Sequence, residues 1–201
     1  MKETSKQQQL EAIAEEIRKC TKCNLAKTRS KAVPGEGNPD SQVVFIGEAP
    51  GYWENVKGKP FVGAAGKILD EVLGKIGISR SEVFITNVLK CRPPMNRDPR
   101  KAEVEACIPY LDRQLEVMKP RFIVTLGRHS SAYIFSKIGK PFSSISKVRG
   151  KLHVVNLWGS TVYVQPTFHP AAALYNVELK RDLEADLSLL KHELDRLQKR
   201  S

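Results

Sequence analysis

The chain has 201 residues, enough for one domain with a substantial core, and 41% of them are apolar, so a folded protein is expected rather than a disordered one. Its formal charge of +11, from 33 Lys and Arg against 22 Asp and Glu, points to a polyanionic partner. No stretch reaches the roughly 18 apolar residues of a membrane span, and the opening MKETSKQQQL lacks an apolar signal segment, so an intracellular protein with no membrane partner is expected.

The charge is unevenly spread. From Glu178 to Arg200 six basic residues face six acidic ones, so the excess lies upstream. Lys57, Lys59 and Lys67 form one basic stretch. Lys90, Arg92, Arg97, Arg100 and Lys101 form a second, opposed only by Asp98, and Lys137, Lys140, Lys147, Arg149 and Lys151 form a third. On one face these would make a phosphate-binding surface; scattered, they are a solvated exterior.

In chain order, Leu10, Ile13, Ala14 and Ile17 keep helical spacing and predict an amphipathic helix ending near Cys20. A loop with Pro34, Gly35, Gly37 and Pro39 follows, and Val43 to Ile46 is a β-branched and aromatic run suited to a buried strand. Ile68, Leu69, Val72, Leu73 and Ile76 mark a second helix, and Val83 to Val88 a second strand. A third helix carries Val104, Ile108, Leu111, Leu115 and Met118, with Asp98 as its expected cap and Pro99 in its first turn. Phe122 to Leu126 is a third strand and Ser130 to Ile138 a short helix. Val154 to Val164, broken at Trp158, Gly159 and Ser160, reads as a hairpin feeding a fourth strand toward Phe168. A leucine-rich helix from Leu179 to Leu197 ends the chain.

Strands alternating with helices imply a parallel α/β sheet whose ligands bind beyond the strands' carboxyl ends. Those ends carry Glu48, Asn87, Arg128 and His169, bringing a carboxylate, an amide, a guanidinium and an imidazole to one rim.

The four cysteines, Cys20, Cys23, Cys91 and Cys107, are separated by 2, 67 and 15 residues. A CxxC pair with two distant thiols suits either a tetrahedral zinc or an iron-sulfur cluster, and spacing does not choose between them. Unlinked small hydrophobes are the bland alternative. Cys91 argues against it, because it opens the polar loop Arg92-Pro93-Pro94-Met95-Asn96-Arg97-Asp98-Pro99.

Gly-Glu-Ala-Pro-Gly at 47 to 51, Lys-Pro-Phe-Val-Gly at 59 to 63, Thr-Asn-Val-Leu-Lys-Cys-Arg-Pro-Pro at 86 to 94 and His-Pro-Ala-Ala-Ala-Leu at 169 to 174 stand in one order with this cysteine framework. Together they resemble the family 4, iron-sulfur type of uracil-DNA glycosylase over essentially the whole chain, 1 to 201, as one domain. The resemblance implies a three-layer αβα sandwich with a central four-stranded parallel sheet. It also implies a structural 4Fe-4S cluster on the four cysteines and uracil-containing DNA as partner, which places the protein at the nucleoid. Three departures stand out: Glu54-Asn55 where members carry Glu-Asp, Met95 where a Gly is usual, and Tyr175 where an Arg often follows the His-Pro block.

Excising uracil by hydrolysis requires a hydrogen-bond donor at the departing O2 and a positioned water. His169 is the expected donor. Asn87 complements the uracil N3 hydrogen and O4, and Phe61 stacks on the flipped base, as the family implies. Water falls to Glu48 or to backbone groups around Ala49, since related families carry Asp or Asn at the Ala49 position. Leu174 or Tyr175 is expected to fill the hole left in the DNA, and Lys147, Arg149 and Lys151 to meet phosphates. No lysine stands out as a Schiff-base nucleophile, so a monofunctional, monomeric enzyme is expected. Gln7-Gln8-Gln9-Leu10 is too short to establish a replication-clamp contact, which stays open as a partner, and reads as a solvated helix start. A zinc-bound DNA-binding module and a relative with altered base preference, such as hypoxanthine, are the rival readings.

Overall fold

A buried strand turns successive side chains to opposite faces, so a run such as Val43-Val44-Phe45-Ile46 needs apolar cover on both sides. The computed structural model, which describes residues 4–199, supplies it with two helical layers. The order is α1 (Lys6–Lys19), β1 (Glu36–Gly37), β2 (Val43–Gly47), α2 (Tyr52–Lys57), α3 (Ala64–Lys75), β3 (Phe84–Asn87), α4 (Lys101–Met118), β4 (Phe122–Leu126), α5 (Arg128–Lys137), α6 (Ile145–Val148), β5 (His153–Leu157), β6 (Ser160–Thr167) and α7 (Val177–Gln198). Arg200 of the expected tail, and both ends of the expected 1 to 201 domain, lie outside the described residues.

Val43 and Phe45 pack with Leu69, Val72 and Leu73 of α3 and Leu183, Leu187 and Leu190 of α7. Their neighbours Val44 and Ile46 pack with Leu10 of α1, Leu111 and Leu115 of α4, and Ile134 and Phe135 of α5. Each of these side chains is almost wholly removed from water, worth about 1.5–3 kcal/mol apiece before chain entropy is set against it.

The sheet has six strands in the order β1-β3-β2-β4-β6-β5. The expected four-stranded parallel sheet is its centre, β3-β2-β4-β6, and antiparallel edges complete it. β1 escaped sequence reading because two residues carry no periodicity. β5 is the first arm of the expected hairpin, turned by Trp158 (φ 53°) and Gly159 (φ 73°). After β2 the chain moves through α3 to β3 on one side, then crosses through α4 to β4 on the other. That reversal at β2 opens a crevice beyond its carboxyl end.

Local signals set most helix ends. Ser5 and Gln8 form a reciprocal cap on α1, so the Gln7-Gln8-Gln9-Leu10 string is that helix's first turn, with Leu10 in the core. α4 starts later than expected. Arg100, not Asp98, is its cap residue, and the Glu103 carboxylate accepts from the Arg100 amide at 2.9 Å and from Arg97. This frees Asp98 for another partner.

α7 is tied to the sheet end by Asp186, only 3% exposed, which accepts from Thr167 Oγ1 at 2.6 Å and from the Arg149 guanidinium at 2.7 Å and 3.0 Å. Removing that carboxylate leaves a cation and a hydroxyl without their partner. Asp186→Ala should therefore destabilise the fold by about 3 kcal/mol in denaturant unfolding, and a loss under 1 kcal/mol would show that the pair is dispensable.

Candidate active site and cysteine lobe

Register brings the strand ends together: Gly47 pairs with Asn87, and Leu126 with Thr167. Beyond them lies a cavity of about 460 Å³ lined by residues 48–54, Phe61, Asn87, residues 96–98 and His169, among others. Glu48, Ala49, Phe61, Asn87 and His169, five of the expected site residues, thus share one pocket.

Gly47 makes the convergence possible. A Cβ there would sit 2.3 Å from Asn87 Oδ1 and 2.7 Å from the Phe61 ring, so only glycine lets the amide and the aromatic close over the strand end. Asn87 is 1% exposed, and its Oδ1 is a buried acceptor without a hydrogen-bond partner in the fold. Such an atom costs about 1–3 kcal/mol until a donor arrives.

Phe61 adopts φ 49°, a conformation that non-glycine residues rarely take. Its carbonyl accepts from Arg80 at 3.0 Å, and the neighbouring Pro60 carbonyl accepts from the same guanidinium. Gly66 admits that loop onto α3, since a Cβ there would lie 1.9 Å from the Phe61 carbonyl oxygen. The ring stacks on His169, with centroids 5.6 Å apart and planes at 28°.

His169 accepts a hydrogen bond at Nδ1 from the Ala171 amide at 3.1 Å, so in the neutral ring the proton resides on Nε2. Burial pushes the imidazole down to about 4, keeping it neutral near pH 7. The ring therefore presents an uncharged Nε2–H donor.

Glu48, Asp98 and His129 bring one ligand atom each within 4.8 Å of one another. His129 Nε2 lies 3.7 Å from Glu48 and 3.5 Å from Asp98, which also pairs with Arg128. Burial raises the Glu48 carboxyl above the usual carboxylate range; His129 opposes that shift and Asp98 adds to it. The guanidinium expected at the rim is thus turned to Asp98, and the next residue, His129, faces Glu48. Asp98, the expected cap of α4, instead faces the rim, and His129 stands beside it with no local sequence pattern to mark it.

Glu54 was also missed as a brace. Its Oε1 accepts from the Val62 and Gly63 amides at 2.8 Å each, and its Oε2 from Gly51 at 3.1 Å, binding the β2 loop to the Phe61 loop. Asn55 faces away, exchanging hydrogen bonds with Ser30, so its departure from the family pattern touches a loop and not a water site. Met95 takes φ 55° and is almost fully exposed, the backbone region in which a glycine is usual.

The basic stretches do not form one free surface. Lys90 is buried, Arg97 pairs with Glu103, Lys59 with Glu36 and Lys137 with Asp112. Arg149, expected at phosphates, is instead committed to Asp182 and Asp186. Lys147 and Lys151 are exposed. Leu174 is half-buried and Tyr175 is 95% exposed, both at the end of the turn that begins beside His169.

The cysteines gather at the other side of the sheet end. Cys91 and Cys107 are buried, with Cys20 and Cys23 packed against them among Ile13, Ile17, Leu25, Leu89 and Tyr110. No three of their sulfurs lie within 4.8 Å of one another among the described residues. A tetrahedral zinc, with bonds of about 2.3 Å, would need sulfurs about 3.8 Å apart. Arg29 donates to Cys91 at 3.2 Å and the Lys22 amide approaches Cys20 at 3.5 Å, donors that suit anionic thiolates. The four thiols thus share one lobe enclosed in apolar side chains, a set of residues that could hold a metal group. Lys90 sits between lobe and pocket, donating to Thr86, to Gln114 and to the Asn87 carbonyl at 2.6–2.8 Å; it does not line the cavity.

Residues 34–191 match the family described as the uracil DNA glycosylase superfamily. The chain is 54% identical over 186 residues to the type-4 uracil-DNA glycosylase of Saccharolobus solfataricus, covering 92% of this chain and 86% of that one. It is 52% identical over 177 residues to the Archaeoglobus fulgidus protein of the same name, covering 88% and 89%. Against the one from Thermotoga maritima it is 43% identical over 195 residues, covering 94% and 98%. With a pocket at the sheet's carboxyl edge and a four-cysteine lobe beside it, the chain belongs to the uracil-DNA glycosylase superfamily, among its type-4 members.

Proposed function

We propose that this protein extrudes uracil from DNA and hydrolyses its N-glycosidic bond, leaving an abasic site for repair. The unpartnered Asn87 Oδ1 at the pocket floor carries the reading. Uracil N3–H satisfies it, while the same amide's NH₂ donates to O4. Cytosine presents an acceptor and a donor in those places and leaves two polar clashes, each costing about 1–3 kcal/mol.

Phe61 offers its ring to the extruded base. As the glycosidic bond stretches, charge collects on uracil O2, and the His169 Nε2–H donates to it without first losing or gaining a proton. Glu48 holds the attacking water, with backbone around Ala49 as its second contact, and its charge also favours the cationic sugar. Leu174 and Tyr175 fill the vacated stack, and Lys147 and Lys151 meet phosphates. The product is an abasic site, with no lyase step. Cys20, Cys23, Cys91 and Cys107 hold a 4Fe-4S cluster, which cross-links the first helix, the Cys91 loop and α4 and takes no part in the reaction.

Chemistry and recognition separate by mutation. His169→Ala should lower single-turnover uracil excision about 10²- to 10³-fold with DNA affinity little changed. Asn87→Asp should instead lower uracil excision while raising residual cytosine excision relative to it, because an ionised carboxylate accepts from cytosine N4 but cannot donate to O4. An unchanged uracil-to-cytosine ratio would sink the assignment of the pocket.

Because burial raises the Glu48 carboxyl, its charge is lost as pH falls through a value above that of a free glutamate. The acid limb of kcat/KM should therefore lie above the usual glutamate range and vanish in Glu48→Gln, leaving a slower enzyme. A limb that persists in Glu48→Gln assigns it elsewhere.

For the metal, protein prepared without oxygen should be brown and contain about four irons per chain. Cys107→Ala should lose both iron and stability; stoichiometric zinc without iron would overturn the cluster.

A further inference from the structure

The two large aromatic rings at the cavity mouth, Tyr52 and Trp53, open the short helix α2 and have no part in the chemistry above. Tyr52 is 54% exposed and Trp53 52%. The rings meet edge to face with centroids 5.2 Å apart. Each has a cation beside it: the Arg92 guanidinium lies 5.3 Å from the Tyr52 centroid, and the Lys57 ammonium 5.8 Å from that of Trp53.

The pair is held in place. Glu54, next along α2, is hydrogen-bonded to the Gly51, Val62 and Gly63 amides, and the Trp53 ring runs alongside Gly63. Two preorganised rings with two cations, continuous with a pocket that takes a base, match what single-stranded nucleic acid offers: flat bases followed by phosphates. A protein segment seated on the two rings would have to cover two cations as well.

We propose that Tyr52 and Trp53 form a second base subsite, stacking on an unpaired nucleobase adjacent to the extruded one while Arg92 and Lys57 meet the phosphates on either side. This rests on the glycosylase reading and adds a preference to it. In a duplex the neighbouring base is already stacked and paired, so the subsite is used more in single-stranded or locally opened DNA. Stacking is tolerant of base identity, so no sequence preference accompanies it.

The test uses the intact, iron-loaded chain and two readouts. In a Trp158→Phe background Trp53 is the remaining tryptophan, and its fluorescence should be quenched by an oligothymidylate that lacks uracil. Absent quenching overturns the subsite even if uracil excision is normal, and quenching supports it even if no excision is found. The second readout is half-saturation in single-turnover excision from single-stranded DNA in which the base on one side of the uracil, then on the other, is replaced by an abasic analogue. For the unaltered protein one of these should raise the half-saturating concentration about tenfold, and in Tyr52→Ala/Trp53→Ala the same replacement should matter less than about twofold. Equal sensitivity in both proteins shows that the rings do not hold the base. Both rings are on the surface, so the double variant should fold, and Trp53→Phe, which keeps a ring, should restore most of the sensitivity.

Discussion

The pocket depends on a missing atom. β2 must end where β3, the Phe61 loop and the chain leading to Glu48 all meet, and the space between them admits no side chain at Gly47. Backbone approaches backbone at that point, with Val88 donating to the Gly47 carbonyl at 3.0 Å and Leu89 to that of Glu48 at 2.9 Å, so the two chains stay hydrogen-bonded just beyond the strand ends. This extension holds Asn87 and Glu48 in a fixed relation. The reversal of strand order at β2 opens the crevice, and Gly47 decides that two functional side chains can face it from adjacent strands.

Charge within the site is divided by wall. His169 is kept neutral by burial and fixed in one tautomer by the Ala171 amide, so its wall of the pocket carries an uncharged N–H donor. Glu48 lines the same cavity beside His129, which also approaches Asp98, and Asp98 pairs with Arg128. Burial raises the Glu48 carboxyl above the usual carboxylate range; His129 and Arg128 oppose that shift and Asp98 adds to it. Strain is concentrated in the same place. Phe61 occupies a disfavoured backbone region and is held there by Arg80 on its carbonyl and by Glu54 on the two amides that follow.

How far the sequence discloses this follows from the range of each interaction. The strands at 43 and 122, the leucines of α7 and the Ser5 cap are local patterns, readable because period and capping act over a few residues. Glu48, Asn87 and His169 were legible through strand ends and recurring blocks. Asp98 was misread because Asp-Pro before an apolar stripe is a sound local signal for a helix start, and Glu103 with Arg97 outcompetes it. Arg149 was misread for the opposite reason: nothing near it in the chain reveals Asp186, 37 residues on. Lys90 looked like one of a basic run, yet its four-carbon stem carries it inward to three acceptors.

That buried lysine also shows why lobe and pocket are one construction. Between Asn87 in the pocket and Cys91 in the lobe the chain has only three residues, Val88, Leu89 and Lys90. Leu89 packs among the cysteines while its amide holds the Glu48 carbonyl, Ala49 lies against the same apolar cluster, and Lys90 grips the Asn87 carbonyl. A displacement of the Cys91 loop therefore moves the ends of both β2 and β3, and misplacement of catalytic groups by an ångström is costly in rate. The cysteine lobe and the pocket are thus joined through backbone contacts and packing. Any group held jointly by the four thiols would tie α1's end, the Cys91 loop and α4 to the segment that sets the distance between Asn87 and Glu48.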